Sequence, residues 1–159
     1  MQNTRTDLRV RRFLETCRRH QLKITPQRVA IFRMLIQSKQ HPSAEVLFRS
    51  VKKEFPNISF DTVNRTLLTF ADIGVVAVVE VFGGPRRFDP DITAHHHLHC
   101  MACGRIIDFE YAGFARLDVP ESITGGFTVT SKRVVLKGLC DRCNLKRNEP
   151  INQPTRRKK

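Results

Sequence analysis

Tryptophan is absent from this chain of 159 residues, and Tyr111 is its only tyrosine. An aromatic platform for stacking single-stranded RNA therefore has no counterpart here. No apolar run is long enough to cross a bilayer, and no basic, apolar, cleavable segment opens the chain. The expectation is a cytoplasmic protein with no membrane partner. Acidic residues are few: Asp and Glu number 15 against 28 Lys and Arg, for a net charge of +13. Such an excess predicts a polyanionic partner, most simply double-stranded DNA. Residues 1–33 carry nine Lys/Arg and two acids, and Arg156-Arg157-Lys158-Lys159 closes the chain on four more bases. Residues 149–159 are expected to be a disordered basic tail. No internal repeat is present.

Cysteine is sparse and odd in number, at five. A disulfide framework would leave one over and would need an oxidising compartment. Four of the five instead form two Cys-x-x-Cys pairs, Cys100/Cys103 and Cys140/Cys143. The spacer lets both sulfurs of a pair reach one ion from a tight turn, and Gly104 gives that turn freedom. Two such pairs predict a closed structural Zn(II) site. A closed site leaves no open coordination position for hydrolysis. The His-x-Glu of a zinc deaminase is also missing, so neither a zinc hydrolase nor a deaminase is expected. Cys17, among arginines on a predicted helix, is expected to be a half-buried thiol.

The first half reads as helices. Leu8 to His20 has helical apolar spacing. Thr25-Pro26 is an N-cap followed by proline at the first helical position. A third helix runs from Ser43 to about Phe55, and a fourth from Ser59 to Gly74. Val75–Phe82, Gly83-Gly84 and Pro85–Phe88 then read as a hairpin. Short helices followed by a hairpin describe a winged helix, whose last helix before the wing enters the major groove. That helix carries Thr62, Asn64, Arg65, Thr66 and Thr69, and Asn and Arg can read adenine and guanine edges.

The second half has short strands at Leu98–Met101 and Arg105–Glu110, a short helix within Tyr111–Pro120, and a long strand over Phe127–Leu139. A change of apolar parity between Val129 and Val134 suggests a bulge in that strand. The resulting thin sheet would leave a face and an edge for dimerisation. The fold class is α+β: residues 1–89 a winged-helix DNA-binding domain, 90–93 a hinge, and 94–148 a small αβ dimerisation domain with the four-cysteine zinc site.

The run His95-His96-His97-Leu98-His99 precedes the first cysteine pair. In extended backbone His95, His97 and His99 share one face and His96 takes the other. Asp89 and Asp91 lie upstream, Asp108 downstream, and His41 at the base of the third helix. Each has a plainer role alone, His41 as a loop residue and Asp89 as a turn former. Together imidazoles and carboxylates suit a divalent first-row metal.

Ile24-Thr25-Pro26-Gln27-Arg28, His41-Pro42-Ser43-Ala44, Asp61-Thr62-Val63-Asn64-Arg65-Thr66-Leu67, Arg87-Phe88-Asp89 and His95-x-His97-x-x-Cys100-x-x-Cys103-Gly104-x-Ile106-x-Asp108-Phe109 resemble the ferric uptake regulator superfamily. The resemblance spans roughly residues 8–148 and is nearest to the peroxide stress regulators. It implies a homodimeric, metal-dependent bacterial repressor on an inverted-repeat operator. A regulatory Fe(II) or Mn(II) would be held by His41, Asp89, His95, His97 and Asp108, and DNA would be contacted by Arg28, Thr62, Asn64 and Arg65. It also implies peroxide sensing by iron-catalysed oxidation of His41 or His95. The alternative is an iron, manganese or zinc uptake regulator. Aspartate at 108, where uptake regulators typically have glutamate, favours peroxide. Ala94 and His96 stand where those regulators place a histidine and an aspartate of an extra site, so that site is expected to be absent. Asn64 replaces the family's usual tyrosine, which implies an altered operator.

Overall fold

A computed structural model describes residues 2–148 apart from Lys39, Glu80, Phe82 and Ser131. The basic tail expected at 149–159 lies outside the described residues. The chain divides into two compact units, Met1–Ala94 and His95–Lys159.

The first unit begins with helices α1 (Gln2–Arg19), α2 (Pro26–Gln37), α3 (Ala44–Glu54) and α4 (Phe60–Asp72). Helix α1 starts before the expected Leu8, because its first turns continue a polar helical stretch that periodicity of apolar residues does not report. Three of the starts are capped by side chains. Thr25 accepts from the Arg28 N–H, Ser43 from Val46 and Ser59 from Thr62, each satisfying one of a helix's orphan donors. Helix α4 gives way to Gly74, whose φ of +71° only glycine adopts without strain. The helices meet around stacked Phe13 and Phe32, 4.1 Å between centroids, with Phe70 edge-on to Phe13 at 5.0 Å. Ile31, Leu35, Val51, Val63, Leu67 and Phe70 are wholly buried around them. Cys17 is buried in the same cluster and not half-exposed. It falls on the helical stripe of Val10 and Phe13, which α2 and α4 cover. Thr66, expected among the presented residues of α4, is also buried there.

Strands β1 (Ala77–Val79) and β2 (Arg87–Asp89) form an antiparallel ribbon in the register Val78↔Phe88. Each is three residues long, so β1 is much shorter than the expected Val75–Phe82 run. Phe88 is fully buried and its N–H donates to the Pro42 carbonyl at 3.0 Å. An isolated bridge joins Ser43 to Arg87. These contacts fasten the ribbon to the start of α3.

The second unit holds β3 (His96–Cys100), β4 (Ile106–Phe109), short helices α5 (Ala112–Ala115) and α6 (Glu121–Thr124), β5 (Val135–Gly138) and α7 (Asp141–Asn148). The strand order is β4-β3-β5, with β3 antiparallel to β4 and parallel to β5. A parallel neighbour requires a crossover, and the segment carrying α5 and α6 supplies it. The long strand expected over Phe127–Leu139 reduces to Val135–Gly138. Phe127 and Val129 are exposed and outside any strand, so among the described residues no strand spans the change of parity that suggested a bulge. Helices α6 and α7 were not foreseen. The first is a single turn, and the second is polar nearly all round.

Candidate metal centres

The first Cys-x-x-Cys closes the end of β3. Cys100 donates its N–H to the Arg105 carbonyl at 2.9 Å, and its own carbonyl takes the Gly104 N–H at 2.9 Å, with Gly104 at φ +69°. The parallel pairing sets Gly138 beside Cys100, and the Met101 N–H donates to the Gly138 carbonyl at 2.8 Å. That register delivers Cys140 two residues later. The Cys140 N–H points at the Cys100 sulfur, 3.3 Å away, and the Cys103 and Cys140 sulfurs are 3.8 Å apart. Cys143 sits in the first turn of α7, whose start is closed by the Asn144 N–H on the Cys140 carbonyl at 2.9 Å. All four sulfurs lie within 4.8 Å of one another. A zinc–sulfur bond of about 2.3 Å gives a tetrahedron with edges of about 3.8 Å, so the donor set suits Zn(II).

The thiols share protons unequally. The backbone N–H of Cys140 pulls Cys100 down to about 6, from an ordinary value of 9.0. The Cys143 N–H likewise lowers Cys140. Hydrogen bonds with the sulfurs of Cys140 and Cys103 push Cys143 up to about 12. Four sulfurs this close cannot all be thiolates without a cation among them, and a metal is what lets Cys143 ionise.

Both units contribute histidine and aspartate donors. In the first unit His41 and Asp89 are both buried, with His41 Nε2 3.4 Å from Asp89 Oδ2. His41 sits at φ +45°, a left-handed conformation that costs a histidine on the order of 1–2 kcal/mol. The Phe88–Pro42 hydrogen bond and the capped start of α3 hold the chain directly after it. Asp89 ends β2, and its Oδ1 accepts the Asp91 N–H at 2.8 Å. Asp91 is thereby a turn residue: its Oδ1 takes both the N–H and the hydroxyl of Thr93.

In the second unit His95 Nε2 and His97 Nε2 converge to 2.9 Å. Asp108 stands opposite His97 in the β3–β4 ladder, its Oδ1 3.6 Å from His97 Nε2 and 4.0 Å from His95 Nε2. The imidazole nitrogens are buried while the carboxylate is half-exposed. This mixed nitrogen–oxygen chemistry suits iron or manganese. His96 points away from that group into Phe109 and Phe114. His99 is buried, and its Nδ1 has no hydrogen-bond partner among the described residues.

The candidate DNA-contacting residues occupy the first unit. Thr62 and Arg65 are exposed on α4 and Asn64 is half-buried. Arg65 Nε lies 2.9 Å from Asp61 Oδ2, an exposed pair that is cheap to open. The Thr62 hydroxyl bonds that of Ser59 at 2.8 Å. Arg28, at the start of α2, donates to the Lys23 carbonyl. Sequence reasoning missed Arg105, whose carbonyl closes the first cysteine turn while its guanidinium lies 3.4 Å from Asp141 beside the second.

The sequence profile of the ferric uptake regulator family matches residues 19–137. This chain belongs to that family. It is 35% identical over 135 residues to the peroxide operon regulator of Bacillus subtilis, covering 85% of this chain and 93% of that one. It is 37% identical over 125 residues to the peroxide-responsive repressor PerR of Staphylococcus aureus, covering 79% and 84%. Among solved structures, the peroxide stress regulator of Campylobacter jejuni superposes with a TM-score of 0.63 at 30% identity, over 82% of this chain and 98% of that one. The ferric uptake regulator of Helicobacter pylori superposes at 0.73 with 22% identity, over 87% and 93%, which speaks to the fold alone. The α+β family fold and a four-cysteine cluster are thus both present in this family member.

Proposed function

We propose that this family member is a metal-dependent transcriptional repressor that senses peroxide, working as a cytoplasmic homodimer on an inverted-repeat operator. The observation that carries this reading is the second-unit donor group, with two imidazole nitrogens and the Asp108 carboxylate facing one point. Its resemblance to proteins named as peroxide regulators adds weight. In this reading His41 and Asp89 complete the regulatory site with His95, His97 and Asp108. Residues 1–89 bind DNA, 90–93 flex, and 94–148 dimerise. Ile107, Leu98 and Leu136 stand side by side across β4-β3-β5, with Leu98 and Leu136 each more than 40% exposed, and supply an apolar row for the dimer.

A metal that binds the DNA-competent arrangement better shifts the population toward it. When bound, Fe(II) supplies the redox chemistry that reduces peroxide and directs its oxygen to a ligand ring. The chain's own residues shield the target rings: His41 and His95 are both buried, while half-exposed Asp108 leaves a path from solvent. The shorter Asp108 side chain reaches less far than a glutamate and would leave a bound Fe(II) room for a peroxide ligand, since oxygen chemistry at non-haem iron needs an open position. One oxidation per protomer ends repression, so there is no turnover and no enzyme.

The test is the intact and peptide mass of the Fe(II) protein before and after mild peroxide. The expected result is a gain of one oxygen, about 16 Da, on peptides holding His41 or His95, together with loss of operator binding in a gel shift. No gain with iron demonstrably bound would make the protein a metal-uptake regulator instead.

A further inference from the structure

His96 lies between two of the proposed metal ligands, yet the strand turns it the other way. Its ring is enclosed by Phe109 and Phe114, with centroids 5.5 and 5.2 Å away. Its Nδ1 takes the Val134 N–H at 3.3 Å. The carbonyl of the same Val134 takes the N–H of His97 at 3.1 Å. One residue of the crossover, immediately before β5, is therefore bonded twice to consecutive residues of the histidine run. A neutral imidazole whose Nδ1 accepts must carry its proton on Nε2. Such a ring has no lone pair left for a metal.

We propose that His96 is a positioning residue for the regulatory site and not a ligand of it: it binds the β5 end of the crossover to β3 and so aims the His97 ring. This rests on the regulatory site proposed above. Groups that orient metal-bound histidines commonly change metal affinity 10–100-fold when removed. Leucine at 96 fills the aromatic slot but offers no acceptor. Asparagine offers a carbonyl oxygen near the place of Nδ1.

Free Mn(II) is counted by electron paramagnetic resonance during titration of the zinc-loaded full-length protein, in wild type and the variants His96→Asn, His96→Leu and His97→Ala. His96→Asn is expected to bind Mn(II) within about twofold of wild type. His96→Leu is expected to bind roughly tenfold more weakly, with its zinc content and dimer intact. Wild-type affinity in His96→Leu would overturn the inference, as would a loss in His96→Asn equal to that of His97→Ala, which would make His96 a ligand. Loss of zinc along with Mn(II) in His96→Leu would reduce the residue to general packing and overturn it too. If His97→Ala binds as wild type does, the regulatory-site reading fails instead. The tautomer then decides the local claim: nitrogen-15 NMR of the zinc form is expected to find His96 protonated at Nε2 and accepting at Nδ1. The reverse tautomer ends it.

Discussion

The two units are held together by different chemistry. The first has a hydrocarbon core: Phe13, Phe32 and Phe70 in ring contact, and aliphatic residues from α2, α3 and α4 wholly buried around them. In the second unit the buried residues, among those described, are Ile106, Cys100 and four histidines, His95, His96, His97 and His99. Phe127, Ile123, Leu145 and Tyr111 stay exposed. A unit that buries so little apolar surface lacks the main driving force for folding alone, and metal binding is the remedy small domains use. The same chain thus shows a hydrocarbon core beside one whose buried side chains are mostly histidine and cysteine, with Cys100, His95 and His97 among the candidate metal donors.

The largest effect should come from breaking the zinc site. Cys140→Ser leaves three sulfurs, and on the order of 10 kcal/mol of metal-linked folding energy is at stake. The second unit should lose hydrogen-exchange protection and the dimer should dissociate, while α1–α4 remain helical. A stable dimer with full zinc content would overturn the contrast between the units. The converse experiment is Phe70→Ala, which removes the ring shared by α1, α2 and α4. It should cost about 3–5 kcal/mol in urea unfolding without changing zinc stoichiometry. Zinc loss in that variant would mean that the two cores are one.

A smaller effect separates the units by function. Arg65→Ala should weaken operator binding by roughly 1–3 kcal/mol and leave Mn(II) and zinc binding unchanged. An equal loss on random DNA would assign Arg65 to phosphate contact. The smallest effect concerns the fifth cysteine. Burial raises the Cys17 thiol above 9.0, outweighing the nearby Arg28 charge. A raised value favours the neutral folded form, so this contribution to stability is whole below pH 9 and is lost as pH rises through the folded value. Cys17 in the zinc-loaded protein should therefore resist a thiol reagent at pH 8 and react only after unfolding. Rapid labelling without unfolding would show that the first core is open at α1.

Local patterns were legible in the sequence: three capped helix starts at Thr25, Ser43 and Ser59, the glycine after α4, and two cysteine pairs with zinc spacing. Each depends on residues a few positions apart, whose geometry the backbone dictates. The alternation separating His96 from His95 and His97 was legible for the same reason. Tertiary structure alone decided what that alternation meant, because Val134, which engages both His96 and His97, is more than thirty residues away in the chain. It also decided that β5 runs parallel to β3, which brings Cys140 to Cys100, and that residues 127–130 stay out of the sheet although their composition favours strands. Strand propensity is a weak, context-dependent preference, and the partner available at a given register settles the outcome. Cys17 follows the same logic. Its sequence neighbours are arginines, but its neighbours in space are the phenylalanines of the core.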